Sequence, residues 1–158
     1  METCWSTEGT TQGGSVLIGT GDSAFSPLPS SMQFAFGAQG GLYLPVRARL
    51  WGMEPGSGTD FLNAKNPHTR FSAVMFDGTV VVPPCAITWG YVAGTDGYDL
   101  ATWTMIEFLP LDLGARAFDT SMTLVVEVVD ANHLYARNEG QVIVKAPDGW
   151  GSMDAGVR

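Results

Sequence analysis

Two carboxylates on long alternating stretches, Glu107 and Glu127, are of the residue type that general acid–base chemistry needs. Cleaving a glycosidic bond would require them to flank a cleft at a fixed separation. They fall instead on separate expected strands, on faces that also carry Arg47 and Arg49, and cross-strand ion pairing is the simpler reading. Nucleophilic catalysis has even less to draw on. No Gly-x-Ser-x-Gly elbow occurs, and Ser15, Ser57 and Ser152, the serines beside glycine, lack the strand-to-helix setting such an elbow needs. The two histidines, His68 and His133, follow Asn66-Pro67 and Asn132 and read as turn residues. No His-x-x-x-His or Cys-x-x-Cys spacing offers a local zinc site. The seven methionines are scattered as core fillers are, not gathered as copper ligands would be.

Binding residues are easier to nominate. Trp51, Trp89 and Trp103 are candidates for an aromatic platform of the kind that stacks on sugar rings, although tryptophan also sits half-buried at the ends of sandwiches. Asp96 with Asp99, or Asp130 with Asn132 and Glu139, supply hard oxygen ligands suited to calcium. Neither group completes a calcium-loop pattern, and Asp and Asn also simply favour turns. Calcium is the one cofactor the residues suggest. Gly19-Thr-Gly21-Asp-Ser-Ala24 spells a dinucleotide fingerprint, but Phe25-Ser-Pro27-Leu-Pro29 follows, and two prolines forbid the helix that would hold the pyrophosphate. The two cysteines, Cys4 and Cys85, leave three options open: a disulfide between them, lipidation of Cys4, or a Cys85 that is only a small buried apolar residue.

The elements that position these residues are strands. Along 42–51, Leu42, Leu44, Val46, Ala48 and Leu50 share one face, and Tyr43, Pro45, Arg47, Arg49 and Trp51 share the other. Only an extended chain alternates with period two, so this is a strand with one dry face and one wet or partly covered face. Gly40-Gly41 suits the turn that feeds it. Pro45 donates no N–H, which predicts an edge or a bulge at that point. Ser121–Val129 repeats the pattern, with Leu124, Val126 and Val128 on one side and Val125, Glu127 and Val129 on the other. Shorter strands are expected over 15–19, 32–36, 69–76, 79–82, 86–91, 101–108 and 141–145. Asp77-Gly78 is a two-residue hairpin signal, and 94–99 a loop. The Gly-, Pro- and Ser-rich stretch 52–67 predicts a long loop. These strands and turns predict an all-β fold, an immunoglobulin-like antiparallel β-sandwich of about eight strands over 15–146. Residues 1–14 read as a flexible leader and 147–158 as a C-terminal tail.

Composition narrows the function classes. Hydrophobic residues make up 45% and charged residues 15% of the 158, which excludes wholesale disorder. A formal charge of −8 repels phosphate, so no nucleic-acid partner is expected, and no run is long enough for a membrane span. Met1-Glu-Thr-Cys-Trp5 lacks the basic and apolar regions of a signal peptide. Either the protein is cytosolic or the chain follows a removed signal, and Cys4 in a low-complexity leader favours the second.

In order along the chain, Gly19-Thr-Gly21, Phe25 with Pro27-Leu28, Gly37-Ala-Gln-Gly-Gly41, Arg47-Ala-Arg49 and Val126-Glu-Val-Val-Asp-Ala131 form a pattern. Over about 15–146 it resembles short secreted or lipid-anchored β-sandwich proteins of unknown function from Gram-negative bacteria. That resemblance implies a secreted or outer-envelope location, with a lipid on Cys4 as one means of anchoring, and a sandwich fold, but no activity. The expected role is a non-enzymatic interaction or structural module with a protein or glycan partner. The alternative is a carbohydrate-binding module using the tryptophans.

Overall fold

The computed structural model describes residues 2–153, with side chains over 4–151. In chain order the strands are β1 (Glu2–Cys4), β2 (Thr11–Gln12), β3 (Ser15–Thr20), β4 (Ser26–Pro27), β5 (Ser31–Gln33), β6 (Ala35–Phe36), β7 (Leu42–Trp51), β8 (His68–Val74), β9 (Val80–Val81) and β10 (Cys85–Thr88). There follow β11 (Tyr91–Gly94), β12 (Gly97–Leu100), β13 (Thr104–Phe108), the short helix α1 (Leu111–Ala115), β14 (Ser121–Val129), β15 (Leu134–Lys145) and α2 (Trp150–Met153). They form an all-β sandwich of two sheets. One runs β1-β10-β8-β14-β15-β2, with β9 also on β8 and β5 also on β15. The other runs β11-β12-β7-β3-β4, with β13 and β6 also on β7.

The two long alternating stretches are the centres of these sheets. Leu42, Leu44, Val46, Ala48 and Leu50 of β7 are wholly buried, as are Leu124, Val126 and Val128 of β14. Both rows belong to one core that also takes in Phe34, Phe71, Phe108 and Met122. Burying one such aliphatic side chain contributes roughly 1.5–3 kcal/mol, so the two rows make a large contribution to the stability of the fold. A buried hydrogen bond pins the layers: the Tyr91 and Thr69 hydroxyls, one from each sheet, lie 2.9 Å apart.

Several strands depart from their expected bounds for one physical reason. The 32–36 stretch is split at buried Phe34, so that β5 joins the first sheet and β6 the second. The 86–91 stretch is split at Trp89-Gly90 in the same way. A chain that crosses between layers keeps its apolar character while changing hydrogen-bond partners. The 94–99 segment is a tight hairpin rather than a loop, with Gly97 at φ 116. The Asp77-Gly78 hairpin forms where its residues place it, with Gly78 at φ 84.

Of the 1–14 segment expected to be a flexible leader, the described residues 2–14 cross the first sheet. Its β1 pairs β10 at one edge, Trp5 lies 4.6 Å over the Arg70 guanidinium, and β2 pairs β15 at the other edge. Ladder hydrogen bonds need only backbone, so a Ser/Thr/Gly composition did not forbid them. Of the expected 147–158 tail, Trp150 packs on Phe118 and Phe36, and 154–158 lie outside the described residues.

If the β7 row carries the core, Leu44→Ala lowers stability by about 2–5 kcal/mol. Leu62→Ala, on an exposed residue, changes it by less than about 0.5 kcal/mol. Urea midpoints at unchanged slope measure both.

Candidate functional site

The site is built outward from Pro45. Its carbonyl accepts the Thr20 hydroxyl, so its backbone polar groups face the β3 side. On that side β6 pairs residues 42–43 and β3 pairs 47–51, and Pro45 falls in the gap between them. β7 is therefore paired on both sides, not an edge strand, and the missing N–H points where no strand needs it. Polar groups alternate sides along a strand, so Leu44 and Val46 turn theirs toward β13. There they face Ile106 and Thr104, and the Thr104 hydroxyl also bonds the Val46 carbonyl. Met105 and Glu107 must then aim their N–H and C=O groups away from β7. Those groups find no partner among the described residues.

What they face is a groove of about 470 Å³. One lip is β13 with its flanks, including Trp103, Met105 and Leu109. The other runs from β9 to β10 and carries Val81, Val82 and Cys85, with Phe71 also lining the groove. Its rim is apolar and wet: Val82, Trp103, Met105 and Leu109 are each about two-fifths exposed. Glu107 is the one charged lining residue and makes no ion pair or hydrogen bond among the described residues. A pocket of this volume and character is the ordinary setting for a bound ligand. Sequence reasoning missed it, although Met105, an apolar residue at an outward position, was a signal.

The tryptophans are not brought together as a platform. Trp103 stands edge-on to Tyr43 at 5.4 Å on the groove rim, 43% exposed. Trp89 stacks on Phe61 at 5.6 Å and packs against the core, its indole N–H buried without a partner. Trp51 ends β7, where any side chain on Gly97 would collide with its indole. Each ring thus serves a different neighbourhood.

The carboxylates are likewise engaged elsewhere. Asp99 holds Arg49 through two hydrogen bonds of 2.6 and 3.0 Å, raising the guanidinium pKa, and Asp96 sits exposed in the adjoining hairpin turn. Asp130 is buried and accepts the amides of Asn132, Leu134 and Glu54. No three His, Cys, Asp or Glu among the described residues group to hold a metal ion. Glu127 accepts from Arg70 and from the Tyr135 hydroxyl; burial, and hydrogen bonding to that carboxylate, push Tyr135 up to about 12. Glu107 and Glu127 lie in different sheets and do not flank one cleft. Arg47, expected in an ion pair, is buried and donates to the carbonyls of Gly21, Asp22 and Leu100.

Cys4 and Cys85 are cross-strand partners with sulfurs 3.1 Å apart. The Trp5 amide bonds the Pro84 carbonyl, which makes the neighbouring 4–85 pair the non-hydrogen-bonded kind, where side chains approach most closely. Cys4 also borders a second hollow of about 360 Å³, with Glu8, Asn66, His68, Asp130 and His133. Both histidines of the chain thus meet at one place.

Two outcomes follow from this geometry. Oxidised glutathione will close the thiol pair with loss of two hydrogens in the intact mass. Thermal stability will rise by up to about 4 kcal/mol on the chain-entropy account, and Cys4→Ser will show neither change. Burial lowers the His68 pKa from 6.5, so the unfolded chain takes up the proton first as pH falls. Stability is therefore full above 6.5 and declines below it until folded His68 also protonates. Melting temperatures of the wild type and His68→Gln between neutral and acid pH will show a smaller decline in the variant.

No protein-family model, curated protein or solved structure matches this chain.

Proposed function

We propose that this chain is a non-enzymatic binding module of the bacterial cell envelope that takes its partner in the groove between β13 and the β9–β10 lip. The observation that carries the reading is the wet apolar rim, Val82, Trp103, Met105 and Leu109, around a cavity of ligand size. Elsewhere in the fold, Asp99 holds Arg49, Asp130 holds three backbone amides and Glu127 holds Arg70 and Tyr135. The envelope location is carried by the resemblance to exported bacterial sandwiches, and the immunoglobulin-like type by the pattern of strands and turns along the sequence. The facing cysteines support an oxidising compartment, and their pairing in a ladder favours a disulfide over a lipid on Cys4. One observation favours the carbohydrate alternative: Trp103 offers an exposed ring beside Tyr43.

A neutral apolar dye, N-phenylnaphthylamine, tests the groove directly. Its fluorescence will rise with the wild-type chain, and the rise will disappear in a Val82→Asp, Leu109→Asp double variant whose melting curve is unchanged. Equal dye binding by both proteins overturns the assignment. Sugar binding on a glycan array that is lost in Trp103→Ala would instead establish the second reading.

A further inference from the structure

We infer that the groove's partner is an extended peptide segment that adds to the free edge of β13, apolar at alternate positions and carrying one basic side chain. The inference rests on the groove being the binding site and names its occupant.

Three observations lead to it. First, the edge is a ladder waiting for a strand. Thr104 and Ile106 turn their backbone groups to β7, while those of Met105 and Glu107 point into the groove without partners among the described residues. Unpaired strand edges bind other strands, and main-chain hydrogen bonds then supply the affinity. At about 3.4 Å per residue, the five residues of β13 offer some 17 Å of edge, enough for a strand of similar length. Second, the far lip supplies apolar contacts without competing for the ladder. β9 is only two residues long, and Pro83 and Pro84 follow it. An added strand would turn alternate side chains inward to Phe71, Ile106 and Leu113, which line the floor, and outward beside Met105 and Glu107. Third, charge selects the outward side. Among the described residues Glu107 is the one charged residue of the groove and has no counter-ion, in a chain of net charge −8. A lysine or arginine on the added strand next to Glu107 supplies it, and an acidic segment is repelled.

The test titrates the 15N-labelled full chain with two blocked synthetic pentapeptides, Val-Lys-Val-Thr-Val and Val-Glu-Val-Thr-Val. The lysine peptide will bind and slow hydrogen exchange at the Met105 and Glu107 amides but not at Thr104 or Ile106. It will bind about tenfold more tightly than the glutamate peptide, as suits one charge-assisted contact. Glu107→Lys, on a partly buried residue, will reverse that preference. Met105→Pro, which removes an outward N–H without touching the β7 ladder, will abolish binding while the melting curve stays cooperative. Binding without added protection at Met105 and Glu107 overturns strand addition, and a preference unmoved by Glu107→Lys overturns the charge rule. If the apolar dye binds and neither peptide does, the partner is not a strand although the groove remains a site. If neither dye nor peptide binds, both readings fall.

Discussion

The structure depends on one row of side chains, the five aliphatic residues that β7 buries against β14 and its neighbours. Their period of two fixes which face of the strand is inside, because a slip of one residue would turn every one of them to solvent. With the face fixed, the backbone directions follow. Pro45 lacks an N–H and can sit only where its side of the ladder is vacant, which places the gap between β6 and β3 on that side. The opposite side then belongs to β12 and β13, and the alternation of polar groups decides which amides of β13 are used and which are left. A packing constraint in the core, to which β13 itself contributes Ile106 and Phe108, thus determines the chemistry of that strand's outer edge.

Much of this was legible in the residues. The alternation of 42–51 and 121–129, the Asp77-Gly78 turn and the absence of a helix after Gly19-Thr-Gly21 each reflect local physics, and the fold keeps them. Sheet membership was not legible. At Phe34 and Trp89-Gly90 the chain passes from one layer to the other within a continuous apolar stretch, and nothing local marks the change of partner. The groove was hidden for the same reason. It arises because the 104–108 edge and the 80–87 lip come together from different sheets, and neither segment alone suggests a cavity. The aspartates show a different limit. Asp99 and Asp130 look like ligands by type, yet an arginine and three backbone amides already take up their oxygens.

The first sheet guards its surfaces unevenly. Across its outer face, Arg70 of β8, Glu127 of β14 and Tyr135 of β15 form a row of hydrogen bonds, and Trp5 caps the row from the N-terminal segment. That segment also occupies both outer edges, β1 on β10 and β2 on β15. A strap of roughly a dozen residues tied at both ends loses chain entropy, and a bond between Cys4 and Cys85 at its start would hold it most effectively. Edges that could recruit stray strands are therefore covered by the chain's own N-terminal segment, the usual protection against edge-to-edge association.

Among the described residues the β13 edge lacks that cover, and the two sides of its groove differ. On the far lip a strand of two residues is followed, after Val82, by Pro83 and Pro84, which remove donors and stop the sheet from extending across the gap. On the near lip a five-residue ladder stays open. If both lips were strong edges, they would pair with each other and close the sandwich. If both were blunted, nothing would be left to bind. One blunt lip facing one intact ladder is the arrangement that keeps a gap open while giving it a direction, because an incoming strand can hydrogen-bond on one side only. Glu107 on that same ladder adds a sign to the direction. The apolar rim makes the groove attractive to many ligands, but the free amides of Met105 and Glu107 and the unpaired carboxylate distinguish an extended basic segment from a compact apolar one.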